Sequence, residues 1–165
     1  MKKQVLVLGD NEEKNIREQI MPGKKEVMVE IKGDDSSFDY YAVLDGKNDD
    51  EFDVKTVVTH LGLRAKSNIW IKGVLKNNSK VDVSGLIRVL NGSKGSDGRF
   101  KAEFLVFDNA VAKPIPGLEI EENDVAAGHS AWVTKVSEDM IFYLMTKGLS
   151  RKKSEKAIID GFLKI

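Results

Sequence analysis

The sequence predicts a mainly β protein with two short α-helices at its C-terminal end. Short runs rich in β-branched and aromatic residues recur up to about residue 136, and turn-forming residues separate them. No segment between successive runs is long enough to be the crossover helix that a doubly wound α/β sheet needs. Three arrangements of strands remain open at this point: a sandwich, a closed barrel, or a solenoid of stacked strands without a clear sequence repeat.

The strand signals follow one another along the chain. Residues 5–8 form an apolar run that Gly9 and Asp10 end, whereas residues 11–20 are polar and predict a brief helix or an irregular excursion. In residues 27–32 the β-branched residues Val27, Val29 and Ile31 alternate with Met28, Glu30 and Lys32, which is typical of a half-buried strand. Further strands are expected at residues 40–44, 54–59, 68–71, 80–83, 86–90 and 101–107.

The chain changes character after residue 136, so we expect a β-helix or other β core over residues 1–136 and a helical segment over residues 137–165. Ser137 is a good N-cap, and the two acidic residues after it put negative charge in the first helical turn, where the helix dipole favours it. Residues 140–145 are apolar almost all round the helix, and Gly148 marks its end.

A second helix is predicted to begin after Ser150, with its apolar residues on one face at helical spacing. Two short helices with this much apolar and aromatic surface must bury part of it. Two interpretations stay open: the helices cover one end of the β-structure, or some of their surface, especially Phe142, Tyr143 and Met145, binds a partner.

Composition excludes several classes of site. The chain has no cysteine, so it cannot by itself supply disulfides, a cysteine zinc site, a thiol nucleophile or all-thiolate iron–sulfur ligation. Its 26 basic and 26 acidic residues cancel, which gives no electrostatic reason to expect nucleic acid or an anionic membrane as partner. The apolar runs are too short for a membrane span or a signal peptide, so the cytoplasm is the expected compartment.

A series of short motifs carries a resemblance to a known family. In chain order they are Thr59-His60-Leu61-Gly62, Ser67-Asn68-Ile69, Lys72-Gly73-Val74-Leu75, Gly85-Leu86-Ile87, Gly92-Ser93-Lys94-Gly95, Ile115-Pro116-Gly117-Leu118-Glu119-Ile120, Asp124-Val125 and Ile141-Phe142-Tyr143-Leu144-Met145-Thr146-Lys147-Gly148-Leu149. Together they resemble the C-terminal core of the SufB/SufD family, scaffold proteins of the SUF iron–sulfur cluster assembly system. The likeness is strong over residues 57–165, and residues 1–56 match only as generic β-structure.

The resemblance implies a right-handed parallel β-helix followed by a short two-helix segment. It further implies two partners: a SufC-like ABC ATPase bound by the C-terminal helices, and a second SufB/SufD-like subunit, in a homodimer or heterodimer, paired through late β-helix strands. Segment 120–136 is the expected pairing region. The helical residues expected to contact the ATPase are Met140, Phe142, Tyr143, Met145, Leu149, Ile158 and Phe162.

His129 is the best candidate for cofactor and metal binding. Family members are more than twice as long, and SufD-like members have Cys-Ser-His-Gly-Ala where this chain has Ala127-Gly128-His129-Ser130-Ala131, so the histidine is kept and the cysteine is lost. Imidazole suits iron and can replace thiolate at a cluster iron, so the resemblance implies an iron–sulfur cluster shared at a subunit interface. The alternative is that His129 is a core or interface residue, and His60, in a turn-like context, is expected to be structural.

Three other polar segments are weaker candidates. Residues 92–98 look like a phosphate-binding loop but lack the Gly-Lys-Ser/Thr ending, and residues 45–56 lack the glycine and the final acid of a calcium loop. Arg151, Lys152 and Lys153 put positive charge at the start of the second helix, where it opposes the dipole. An acidic patch on a partner would explain them, and simple solvation is the alternative.

Two classes of function follow. The first is a non-catalytic scaffold that binds a SufC-like ATPase and pairs with another subunit, or a degenerate paralogue that binds the ATPase and builds no cluster. The second is an unrelated β-structured enzyme, which is disfavoured because the chain has only two histidines and no recognisable acid pair or cofactor motif.

Overall fold

The structure is a computed structural model that describes residues 2–164. Ten β-strands precede two α-helices, in the order β1 Lys2–Leu8, β2 Glu13–Ile20, β3 Gly23–Ile31, β4 Ser37–Gly46, β5 Glu51–His60, β6 Lys66–Leu75, β7 Lys80–Val89, β8 Asp97–Val106, β9 Val111–Ile120, β10 Ala126–Lys135, α1 Glu138–Thr146 and α2 Arg151–Leu163. The sequence prediction for residues 11–20 was wrong, because β2 occupies most of that segment as a strand.

The strands form a solenoid of two parallel sheets. Odd-numbered strands lie side by side in the order β1-β3-β5-β7-β9, and even-numbered strands lie in the order β10-β8-β6-β4-β2. Every paired strand is parallel to its neighbours, so the chain crosses from one sheet to the other at each turn and adds two strands per turn. The parallel β-helix with a C-terminal two-helix segment is therefore confirmed, and neither a sandwich nor a barrel is formed.

The core lies between the two sheets, in rows of side chains that run along the solenoid axis. The strands are in register, so an inward residue always stacks on an inward residue of the next turn, as Tyr40, Ile69 and Phe100 do. All three side chains are almost completely buried. Burial of one such apolar side chain stabilises the folded state by roughly 1.5–3 kcal/mol, and burial of the rows is the main contribution to the stability of the fold.

Left-handed backbone conformations repeat at both corners of the solenoid. At one corner Asn48, Asn77 and Asp108 have φ of 53°, 60° and 52°. Hydrogen bonds between these corners join residues 29 or 31 positions apart, as when the backbone N–H of Asn77 donates to the Asp108 carboxylate at 3.0 Å. Asparagine and aspartate tolerate this conformation because their short polar side chains bond locally. The repeat is thus one of backbone shape and not of residue identity.

A stack of close backbone contacts needs glycine at the opposite corner. A Cβ on Gly62 would lie 2.1 Å from the carbonyl oxygen of Gly33, and a Cβ on Gly33 would lie 1.9 Å from the carbonyl carbon of Gly9. No side chain can move aside here, because the atoms in the way belong to the backbone. The glycines therefore set how closely successive turns approach at this corner.

The two helices pack against the outer face of the even-numbered sheet. Ile141 of α1 and the half-buried Ile158 and Phe162 of α2 join an apolar cluster with Val74 and Leu105 on the sheet. Both faces of the last halves of β6 and β8 are consequently buried, which explains why residues 101–107 are so apolar in sequence. The expectation that the helices cover an end of the β-structure was therefore wrong, because their apolar residues pack on an outer sheet face.

The predicted helix ends are confirmed. The Ser137 hydroxyl accepts a hydrogen bond from the backbone N–H of Met140 at 3.3 Å, and the Ser150 hydroxyl accepts one from Lys153 at 3.4 Å. After α1 the chain reverses at Gly148, whose φ is +91°. This left-handed glycine is the expected helix stop.

We predict that Gly62→Ala will lower the free energy of unfolding by about 1–3 kcal/mol or more, because the added methyl group overlaps the Gly33 carbonyl. The matched control is Gly161→Ala in α2, where an added Cβ meets nothing within 4 Å. That change should raise the free energy of unfolding by up to about 1 kcal/mol through helix propensity. Urea denaturation of both variants tests the prediction, and equal stability of Gly62→Ala and wild type would contradict it.

Candidate functional site

The last turn of the solenoid has an exposed apolar end. β9 and β10 are edge strands, and their inward residues continue the buried core rows of β7 and β8 with no further turn above them. These inward residues, all half-buried or exposed, are Ala112, Pro114, Pro116, Leu118, Ile120, Ala127, His129, Ala131 and Val133. We call this surface the open end. The outward residues Ile115 and Trp132 flank it and are themselves 66% and 59% exposed.

His129 lies near the middle of the open end. It pairs in register with Phe100 of β8, so its imidazole continues the interior row in which Tyr40, Ile69 and Phe100 are buried. His129 itself is exposed, and none of the side-chain hydrogen bonds found in residues 2–164 involves it. The expected alternation of residues 125–133 on one face is confirmed, but in this chain the imidazole lies at a surface and is not a core residue.

The first turn of the solenoid ends in a different way. There the interior contains a polar network in which Glu18 accepts hydrogen bonds from the Tyr40 hydroxyl at 2.7 Å and from the Lys25 ammonium at 3.0 Å. Burial and the bond to Glu18 raise the pKa of Tyr40, so its phenol stays protonated. The apolar open end therefore differs in chemistry from the opposite end.

The two edge strands of the open end also differ in hydrogen-bonding capacity. The backbone N–H groups of Val111, at the start of β9, and of Glu121, just after its end, donate to carbonyl groups of Ser79 and Val89 on the β7 side. Successive residues of a strand direct their N–H groups to opposite sides, so the even-numbered residues of β9 direct theirs toward the free edge. Two of those positions are Pro114 and Pro116, which have no N–H. The free edge of β10 contains no proline. β10 is accordingly the edge strand with a full set of donors.

The seven residues that the resemblance implied for ATPase binding differ in exposure: four are exposed on α1 and three are half-buried. Phe142 and Tyr143 are 65% and 61% exposed on α1, with Met140 and Met145 beside them on the same exposed surface. We call these four residues the α1 face. Leu149 is half-buried after α1, whereas Ile158 and Phe162 are half-buried and pack against the solenoid.

A buried lysine fixes the end of α2 to the sheet. The Lys72 ammonium on β6 donates to the backbone carbonyl of Phe162 at 2.5 Å and lies 4.9 Å from the centre of the Trp70 ring. Glu103 is 3.8 Å away and accepts a hydrogen bond from the Trp70 indole at 2.7 Å. Burial lowers the pKa of Lys72, and Glu103 partly offsets this. A cation at the C-terminal carbonyls of a helix is favourable.

Sequence reasoning missed this contact. The available signal was a charged residue inside an otherwise apolar strand, since Lys72 interrupts the run from Ile69 to Leu75. A lone charge in such a run needs a buried partner. The partner, however, is a backbone carbonyl 90 residues away, which no local pattern reveals.

Of the three basic residues at the start of α2, Arg151 forms ion pairs within the chain. Arg151 makes two hydrogen bonds of 2.7 Å to the Glu138 carboxylate and lies 3.2 Å from Glu155. The bond to Glu138 raises the pKa of Arg151 further above its usual range. Arg151 thus links α1 to α2, and Lys152 and Lys153 remain exposed beside it.

His60 is structural, as the sequence predicted, but it is a buried residue of a strand and not part of a turn. It is the last residue of β5 and is completely buried, with its Nε2 atom 2.8 Å from the Ser67 hydroxyl. Its Nδ1 atom has no hydrogen-bond partner. Burial lowers the pKa of His60 from 6.5 to about 4. The imidazole of His60 is therefore neutral in the folded protein near pH 7.

The described part of the chain contains no ready-made metal centre. Within residues 2–164 no three His, Asp or Glu side chains are grouped so that they could hold a metal ion. The same residues include no helix long and apolar enough to cross a membrane. A groove of about 640 Å³ lies between α2 and the outer sheet face, and the acids among its lining residues, Glu18 and Asp45, are engaged by Lys25 and Lys47.

Comparison with known proteins places these features in a family. The family model described as SUF system FeS cluster assembly, SufBD core domain, matches residues 22–162. The chain belongs to the SufBD family. The match includes most of the solenoid, the open end and nearly all of both helices. The resemblance found in the sequence motifs is thereby confirmed.

Several relatives are named iron–sulfur cluster assembly SufBD family proteins. One from Mycobacterium bovis is 31% identical over 136 residues, which is 82% of this chain and 16% of the relative. A chloroplastic one from Arabidopsis thaliana is 29% identical over 81% of this chain and 24% of its own length. One from a Synechocystis strain is 27% identical over 81% of this chain and 28% of its own length. The chain therefore spans less than a third of the length of each of these relatives.

We predict that His60 makes the stability of the protein depend on pH between 6.5 and 4. Because the folded state lowers the pKa of His60 to about 4, its contribution is complete above pH 6.5 and is lost as the pH falls toward 4. Between pH 7.5 and pH 5 the wild type should lose about 2 kcal/mol more of its unfolding free energy than His60→Gln. Urea denaturation at both pH values measures this difference, and an equal loss in the two proteins would refute it.

Proposed function

We propose that this SufBD chain is a non-catalytic scaffold component of iron–sulfur cluster assembly. It binds a SufC-like ABC ATPase through the α1 face and pairs with a second SufB/SufD-like subunit through the open end. The observation that carries the proposal is that the chain leaves two apolar surfaces exposed, one on the last turn and one on α1. Exposed apolar surfaces of this kind mark sites of protein interaction.

The open end suits a second subunit because the interior of the solenoid continues there. Its inward apolar side chains, which continue the rows that the middle turns bury, are left for a partner to cover. The free edge of β10 can add a strand from that partner, whereas Pro114 and Pro116 remove two donors from the edge of β9. Pairing accordingly proceeds through β10, inside the segment 120–136 that the sequence indicated.

His129 supports transient cluster binding at this interface. The cluster is the cargo of the assembly reaction, and a neutral imidazole is a suitable ligand for its iron. His129 is exposed and free of ion pairs, so its ring nitrogens are available to a metal. Because residues 2–164 contain no group of three side chains that could hold a metal ion, the remaining ligands come from the paired subunit.

The α1 face supports binding of the ATPase. Its two aromatic rings and two methionines lie on a helix that the solenoid covers only on the Ile141 side. Apolar helix faces of this composition, rich in aromatic residues and methionine, are common at protein interfaces. Lys152 and Lys153 lie at the start of α2 and add positive charge that an acidic patch on the ATPase can meet.

The arrangement also provides a mechanical connection between the two surfaces. β10 ends at Lys135 and α1 begins at Glu138, so any displacement of α1 acts directly on the strand that holds His129. Arg151 ties α1 to α2, and Lys72 ties α2 to β6. Nucleotide-driven motion of a bound ATPase would in this way open or close the subunit interface.

A second candidate within the family is a paralogue that binds the ATPase and assembles no cluster. The observation that favours it is the absence of cysteine, which leaves one exposed imidazole as the iron ligand of the described chain. Cluster reconstitution distinguishes this candidate from the scaffold.

We predict that replacing Phe142 and Tyr143 together by serine will weaken binding of the SufC-like ATPase at least about tenfold, since both rings are more than half exposed and available for contact. Val5→Ser is the matched control, because Val5 is 61% exposed on the first strand, away from α1. Titration calorimetry with the purified ATPase measures the affinity. Unchanged affinity of the double variant would remove the α1 face from the proposal.

We predict that His129→Ala will lower the iron and sulfide bound after anaerobic reconstitution of the complex with its paired subunit, while His129→Cys restores it because thiolate is the stronger cluster ligand. Ser130→Ala, next to His129 on the outward side of β10, is the control and should match the wild type. Elemental analysis and visible absorption report cluster content. A cluster that forms equally well on His129→Ala would exclude His129 as a ligand.

A further inference from the structure

We propose that Met140 and Met145 form an oxidation site at which a hydroperoxide switches off docking to the α1 face. This inference rests on the proposed function, since it concerns the surface assigned there to the ATPase. Both side chains belong to the α1 face and are 42% and 40% exposed. Their sulfur atoms are therefore accessible to a small oxidant whenever no partner covers the helix.

Methionine is the only residue type in the chain whose sulfur a peroxide can oxidise. The chain contains no cysteine, so its sulfur chemistry is that of methionine alone. Two of the methionines lie on the α1 face, whereas Met28 is half-buried within β3. Met21 lies between β2 and β3 and is 61% exposed, far along the chain from the helices. Met21 is therefore as accessible as the α1 methionines without sharing their position.

The reaction is a two-electron oxygen transfer. A lone pair of the methionine sulfur attacks one oxygen of the hydroperoxide, the O–O bond breaks, and an S–O bond forms. The leaving oxygen takes the proton and departs as water, or as an alcohol from an organic hydroperoxide. The thioether is oxidised to the sulfoxide and the peroxide is reduced. The step needs no metal and no further reductant.

The sulfoxide changes the α1 face from apolar to polar at two of its four positions. A sulfoxide oxygen accepts strong hydrogen bonds from water, and burying it against an apolar partner surface without a donor is unfavourable. Met140 neighbours Tyr143 one helical turn on, and Met145 neighbours Phe142 in the same way, so each modified residue lies beside an aromatic ring. Oxidation of both methionines thus adds a polar group next to each of the two aromatic rings.

A partner bound to this face would protect both methionines. Among the exposed methionines of residues 2–164, free protein then presents Met140, Met145 and Met21 to peroxide, whereas the complex presents Met21. The switch accordingly acts on scaffold that has not yet bound the ATPase. Because methionine sulfoxide can be reduced enzymatically, the modification is reversible.

The experiment treats the full chain with hydrogen peroxide, maps sulfoxides by peptide mass spectrometry, and measures affinity for the purified SufC-like ATPase. Three proteins are compared: wild type, Met21→Leu, and the double variant Met140→Leu/Met145→Leu, in which leucine keeps the size and apolar character of the side chain. Peroxide should weaken binding by wild type and by Met21→Leu at least about tenfold, and should leave the double variant unchanged.

The outcomes separate the inference from the proposed function. If untreated wild type binds the ATPase and peroxide has no effect, or weakens the double variant equally, the oxidation site is refuted and the docking function stands. If untreated wild type and double variant both fail to bind, the docking function is refuted and the switch with it. Protection of Met140 and Met145 but not Met21 in the complex would support both.

Discussion

In-register stacking of parallel strands is the constraint on which the rest of the structure depends. Each turn buries its inward side chains only because another turn lies above it and another below it. Tyr40, Ile69 and Phe100 show the result, since one interior row passes through all three and none of them contacts water appreciably. Close approach of the turns in turn requires glycine at positions such as Gly33 and Gly62.

The same constraint explains why the two ends of the solenoid need separate solutions. At the first turn, Glu18 and Lys25 place paired charges in the interior, and these groups tolerate water. At the last turn, the row that contains Phe100 ends in His129, and apolar neighbours surround the imidazole. A solenoid that ends in this way has an interior left for another protein to complete, which is the physical basis of the proposed subunit interface.

The helices connect this end to the remainder of the molecule. α1 follows β10 with only two residues between them, and α2 returns to the sheet, where Lys72 holds its last turn. The segment thus serves two purposes, because Ile141 and Phe162 cover the sheet while the α1 face stays exposed. The sequence left open that the helices cover one end of the β-structure, whereas they cover an outer sheet face and leave the last turn open.

Local patterns and motif order were enough to predict the strand-rich fold class, both helices with their caps at Ser137 and Ser150, the SufBD family and His129 as the candidate ligand. The tertiary structure was needed to show that residues 11–20 form a strand, because pairing of β2 with β4 holds this polar segment extended. It likewise decided that Ile158 and Phe162 face the sheet, that Lys72 bonds to Phe162, and that His129 is exposed. Each of these depends on which distant residues a turn of the solenoid brings together, and that information is absent from any local stretch of the chain.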